Sequence, residues 1–319
     1  MAGAGAPFRE RLAEAVAARR SSIVLGLDPD PARVWPEALD VAQSAAGGPA
    51  AGPEGAGRAG AGPERSAGTS AHPAAERAAD AVVAHCAALI AAAGPACVAV
   101  KPQAACFERL GSPGWRALER VVDAARAAGL LVLLDAKRGD IGVSAQAYAE
   151  GLLTGTATPF GPATGLAADA LTVNPYLGRD ALEPFVQTGR GIFVLVRTSN
   201  PGATDLQDAE LREGGRVWER SARLVDEIDA NAVVGATAPE HLHRARELMP
   251  RATFLLPGVG AQGGRVEDLA PAFLPGPHGG LVTASRSIAR AHEQHGGEPA
   301  QAAREEAERL REAAWALCT

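Results

Sequence analysis

Only two lysines serve the chain of 319 residues, Lys101 and Lys137, and arginine supplies the rest of its 31 basic side chains. Both lysines stand just past an apolar run, in CVAVKPQ (97–103) and LLVLLDAKRGD (130–140). Arginine stays charged under all protein conditions, whereas lysine can release a proton and recover it. The two positions therefore read as places that need an ammonium, one of them to move a proton. Asp135 and Lys137 are two apart at a strand end, so both side chains can face the same way. A carboxylate at that distance keeps an ammonium charged, and Asp140, three residues on, can join the network or reach across an interface. An ordinary ion pair with a turn at Arg138–Gly139 is the plainer alternative. D-x-K alone is weak, but DAKRGDIG directly after a six-residue apolar strand is specific.

Eight short runs rich in β-branched residues must position these groups: 22–28, 97–102, 130–136, 169–174, 191–197, 231–236, 253–258 and 280–285. Most are continuously apolar, the pattern of strands buried on both faces of a parallel sheet. Amphipathic segments, such as 115–128, 214–228, 239–249 and 302–317, lie between or after them. Eight such units predict a single-domain (β/α)8 TIM barrel. An open doubly wound sheet would want a G-x-G-x-x-G turn after the first strand, and GLDPDP (26–31) is not one. In a barrel the C-terminal strand ends share one mouth. The residues closing the runs are Asp28, Lys101, Asp135 with Lys137, Asn174, Ser199, 258–262 and Ser285–Arg286, almost all polar, charged or glycine. Segment 42–73 is nearly all Gly, Ala, Pro, Ser and Glu, and is expected to be a disordered insert.

The net charge of −6 argues against a nucleic-acid footprint. Four cysteines without a CxxC pair suggest packed thiols in a reducing compartment. Residues 6–20 read as a charged amphipathic helix and not as a secretory signal. The apolar stretch 81–100 is broken at Gly94–Pro95, so a helix followed by a strand fits better than a membrane span. A cytoplasmic enzyme is expected. His241 and His243, two apart on a helix, diverge and make a poor metal pair.

The blocks GLDPDP (26–31), VKPQAACFERLG (100–111), LLDAKRGDIG (133–142), LTVNPYLG (171–178), RTSNPG (197–202), VVGATAP (233–239), LPGVGAQGG (256–264) and ASRSI (284–288) occur in the order found in the orotidine 5′-phosphate decarboxylase family. The chain resembles the longer bacterial branch of that family over nearly its whole length, segment 42–73 excepted. The resemblance implies a homodimer of barrels that converts orotidine 5′-phosphate to UMP and CO2 with neither metal nor organic cofactor. It also implies an alternating Lys–Asp–Lys–Asp array, in which Lys137 protonates C6 and Asp135 lies against the substrate carboxylate. Lys101 continues the array, and Asp140 comes from the other subunit. Asp28 with Lys101 would hold one ribose hydroxyl. Asp140 with Ser144, where the family often has threonine, would reach the other. Ser199 would meet the pyrimidine edge, and Gln262 and Arg286 the phosphate.

Three rivals remain at this point. A magnesium-dependent sugar-phosphate decarboxylase shares D-x-K-x-x-D but needs a further acid near the Lys101 strand end, where CVAVKP has none and Glu108 is too far along. A Schiff-base aldolase would use either lysine. A silent phosphate-binding barrel would have no need of a buried charge array that is costly to assemble.

Overall fold

The computed structural model describes residues 6–46, 73–237, 240–260 and 263–318. All eight predicted strands form: β1 (Ile23–Leu27), β2 (Ala99–Pro102), β3 (Leu131–Arg138), β4 (Ala170–Val173), β5 (Gly191–Arg197), β6 (Asn231–Val234), β7 (Phe254–Leu256) and β8 (Gly280–Ala284). They pair in parallel in chain order, and β8 closes onto β1 through Val24↔Thr283. The result is the predicted TIM barrel.

Alternation along each strand splits the core into two layers. Inward-facing Val24, Leu133, Ala170, Phe193, Val233, Leu255 and Leu281 fill the barrel, while outward-facing Ile23, Leu25, Val100, Val132 and Val282 pack under the helices. Because both faces are covered, the strands carry no polar stripe. The expected N-terminal helix is α1 (Phe8–Arg19), whose Phe8, Leu12 and Val16 recur at helical spacing and join the barrel interior. Phe8 meets Phe193 edge-on at 6.0 Å.

Two helices follow β1: α2 (Pro36–Ala46) and α3 (Pro73–Ala93). Residues 42–46, assigned above to the insert, extend α2, and Ala42 is buried. Composition misplaced that boundary because alanine is as good a helix former as it is a component of low-complexity sequence. Pro73, the other end of the expected insert, opens α3, and the remainder, 47–72, lies outside the described residues. Residues 74–96 form one helix long and apolar enough to cross a membrane by length and composition alone. Here Val82, Cys86, Leu89, Ile90 and Ala93 join the protein core.

His85 on α3 is buried, its Nδ1 accepting the Trp35 backbone N–H at 3.2 Å. Burial, then the charge of Arg290 and the proximity of His292, lowers its pKa from 6.5 to about 4. A histidine whose folded pKa lies below its unfolded value contributes its full stability above pH 6.5. That contribution fades as pH falls towards 4, because the unfolded chain binds the proton first. The loss amounts to roughly 3 kcal/mol across the window. Urea unfolding at several pH values should show this slope, and His85→Asn, which keeps an acceptor but cannot titrate, should flatten it.

Arg246, unremarked in the sequence, is buried over the Phe254 ring at 3.8 Å. It donates to the carbonyls of Met249 and Ala252 at 2.8 Å, Ala272 at 2.7 Å and Gly279 at 3.1 Å. With Pro250 and Pro271 at 3.4 Å, six carbonyls thus take the place of the water that a buried guanidinium loses.

Candidate active site

The C-terminal strand ends open onto a cavity of about 460 Å³, a volume suited to a nucleotide-sized ligand. Asp28, Lys101, Asp135, Lys137, Ser199 and Arg286, six of the predicted residues, line it. Its floor is formed by inward side chains of the strands, among them Thr172, Leu195, Val233, Leu255 and Thr283.

Asp135 is the hub. It is 7 % exposed, and its Oδ2 accepts the Lys101 ammonium at 2.8 Å and the Gln103 amide at 3.2 Å. Its Oδ1 accepts the Lys137 ammonium at 2.5 Å and the Thr172 hydroxyl at 2.9 Å. Burial alone would favour the neutral acid, but Lys101 and Lys137 outweigh it and hold the carboxyl well below the usual carboxylate range. Lys101 is equally enclosed. Burial opposes its charge, yet Asp135 and Asp28, the latter 3.8 Å away, raise its pKa above the ordinary lysine value. Lys101 is thereby fixed as a cation. The Lys137 side chain, 45 % exposed, keeps access to solvent.

The backbone is unusual at this point. Lys137 has φ 48°, the left-handed region that residues with a Cβ rarely adopt. The β3–β4 register shifts between Leu134 and Arg138. Such irregularities re-aim side chains and recur next to active sites.

Two close approaches shape the other wall. A Cβ on Gly26 would lie 2.6 Å from the Ser285 Cβ, so only glycine lets the β8 end, with Arg286, sit against β1. Gly258, with φ 106°, turns the chain after β7 towards the cavity. Gln262 on that loop lies outside the described residues. After β5, Arg197 pairs with Asp208 through two bonds of 2.9 Å, and Gln207 accepts from the Thr198 backbone N–H at 2.8 Å. These contacts pin the loop that carries Ser199.

Not every strand-end residue reaches the mouth. Asp140 and Ser144 do not line this cavity, and Asp140 accepts from the Ile141 N–H at 2.8 Å. Asn174, counted above among the strand ends, falls in the turn after β4 and bonds to the Tyr176 N–H at 3.0 Å. Glu108 ends on Arg138, which also stacks over Tyr148 at 5.3 Å, away from the lysines. His241 packs edge-on to Trp218 at 5.4 Å, and no group of three metal-ligating side chains occurs among the described residues.

Thr172 and Gln103 were missed by sequence reasoning. Parity offers a signal for Gln103, two residues past Lys101 and so on the same face. It offers one for Thr172 as well, the single hydroxyl inside the β4 run.

A family profile described as "Orotidine 5'-phosphate decarboxylase / HUMPS family" matches residues 78–305. The orotidine 5′-phosphate decarboxylase of Deinococcus radiodurans is 51 % identical over 209 residues, covering 62 % of this chain and 73 % of its own. That of Haloarcula marismortui is 41 % identical over 291 residues, 88 % of this chain and 86 % of its own. Among solved structures, the OMP decarboxylase of Leishmania donovani superposes with a TM-score of 0.66 at 30 % identity. That superposition covers 96 % of this chain and 99 % of the other.

Proposed function

The chain belongs to the orotidine 5′-phosphate decarboxylase / HUMPS family, and from that membership we propose that its barrel mouth converts orotidine 5′-phosphate to UMP and CO2 in pyrimidine biosynthesis, with Lys137 as the proton donor. One observation carries the assignment of Lys137. Its amine is 2.5 Å from the buried Asp135 carboxylate, on the cavity wall, with Lys101 held on the other oxygen.

The chemistry follows from the charges. Breaking the bond from C6 to the carboxylate releases CO2 and leaves the electron pair on an sp² carbon with little resonance relief. The Lys137 ammonium stabilises that charge as it develops, an interaction stronger in the transition state than in the ground state. It then transfers its proton to C6, giving UMP, and its partly exposed amine takes a proton from solvent for the next turnover. Asp135, held ionised, anchors the Lys137 amine and lies against the substrate carboxylate. Arginine at 137 would keep the charge without a practical proton to give.

In this reading Asp28 and Lys101 hold a ribose hydroxyl, Ser199 meets the pyrimidine edge, and Arg286 with Gln262 binds the phosphate. Binding energy at the phosphate, remote from C6, holds the ring for reaction. Asp140 and Ser144 serve the neighbouring subunit of a homodimer. In support, Ile141, Val143, Tyr176 and Leu177 beside them are exposed apolar side chains on adjoining loops, a surface suited to a second copy of the chain. No metal enters the proposed step.

The direct test is to incubate the protein with orotidine 5′-phosphate and follow UMP formation after exhaustive treatment with EDTA. Turnover should be unchanged by chelation. Loss of turnover that magnesium restores would favour the metal-dependent branch, and absence of UMP with and without metal would reject the assignment.

A further inference from the structure

We propose that Thr172 is the positioning residue that holds Lys137 and Asp135 in their reactive arrangement, an inference that rests on the decarboxylase reading above. A threonine hydroxyl has one proton to donate and two lone pairs to accept with. At Thr172 all three are used. The hydroxyl donates to Asp135 Oδ1 at 2.9 Å, and accepts the Ala136 N–H at 3.1 Å and the Lys137 N–H at 2.9 Å. Its residue is 1 % exposed, so water does not compete for these bonds.

The register explains why a side chain is needed there. Leu134 pairs with Leu171 and Arg138 with Val173, so β3 spends four steps where β4 spends two. The residues looped out are those that carry the chemistry, 135–137. The Thr172 oxygen supplies their two consecutive N–H groups with an acceptor inside the bulge. The same oxygen orients the carboxylate to which the Lys137 ammonium is bonded. Lys137 meanwhile keeps φ 48°, a conformation that a residue with a Cβ leaves unless its surroundings hold it. Without the hydroxyl, two N–H groups lose their acceptor and Asp135 loses a donor. Residue 137 is then free to relax towards extended backbone, which carries the ammonium off the axis of proton transfer.

Valine has the shape of threonine without the hydroxyl, and serine has the hydroxyl without the methyl, so the pair separates hydrogen bonding from packing. Thr172→Val should lower kcat for orotidine 5′-phosphate about 100-fold, the scale of a misplacement near 1 Å. KM should stay nearly unchanged, because the ribose and phosphate contacts lie elsewhere. Thr172→Ser should recover most of kcat. A purely structural role would instead reduce the folded fraction and leave kcat per folded protein intact. Wild-type kcat in the valine variant overturns the proposal, and so does a serine variant as impaired as the valine one. If the valine variant does not fold, Thr172→Ala against Thr172→Ser gives the same comparison, and equal kcat values overturn the proposal. Should the wild type itself lack decarboxylase activity, the functional reading falls separately. The crystal structure of the valine variant would then decide on positioning: a retained positive φ at residue 137 with the bond to Asp135 intact rejects it.

Discussion

Lys137→Ala should lower kcat by at least ~10⁴-fold while UMP still binds, the combined scale of losing a general acid and a preorganised charge. The substitution is clean for structural reasons. Alanine keeps a Cβ, so the left-handed backbone at 137 is no more strained than before. Asp135 retains Lys101, Gln103 and Thr172 as partners, so its buried carboxylate is not orphaned. Arg286 and the turn at Gly258 lie on the opposite wall and lose nothing. Lys137→Arg should be nearly as inactive, because it restores charge without a transferable proton. Single-turnover measurements together with calorimetric titration of UMP would read chemistry and binding separately. Activity within tenfold of wild type in Lys137→Ala would remove the amine from the mechanism.

Subunits carrying Asp140→Ala and Lys137→Ala, each inactive alone, should regain activity when mixed. The expectation comes from where Asp140 lies. It is five residues past Asp135 yet does not line the cavity, and its neighbours Ile141 and Val143 are exposed apolar side chains. If Asp140 completes the partner's site, a mixed two-fold dimer holds one intact site and one doubly defective site. Random assortment of equal amounts makes half the dimers mixed, so about a quarter of wild-type activity should return. Activity measured after dissociation and reassociation of differently tagged subunits gives the answer. Demonstrated heterodimers with no recovery would place Asp140 outside the shared site, and full activity in Asp140→Ala alone would do the same.

The barrel was legible because its strands are short, β-branched and apolar on both faces, a pattern that few other architectures require. Each of the eight runs became a strand: β5 kept its bounds, β3 ran two residues further to Arg138, and the others were trimmed by up to a few residues. The lysines were legible because an arginine-rich composition made their retention conspicuous, and Asp135 was legible by its spacing from Lys137. The boundary of α2 was not, since residues 42–46 are compatible with a helix and with a loop, and only packing of Ala42 separates the two. Asn174 was taken for a strand-end residue because it closes the run 169–174, but β4 ends one residue earlier, at Val173, and Asn174 bonds to the Tyr176 N–H in the following loop.

The sequence by itself determined which groups carry charge, which can exchange a proton, and that a parallel barrel brings their strand ends to one mouth. These are properties of residue type and of period, and both are local. Tertiary structure alone decided that Lys101 and Lys137 bind opposite oxygens of one carboxylate, and that a threonine on the next strand fills the bulge beside them. It also decided that Asp140 does not line the cavity. Each of these depends on register between segments tens of residues apart and on a backbone conformation that the local sequence disfavours, so packing across strands had to select it.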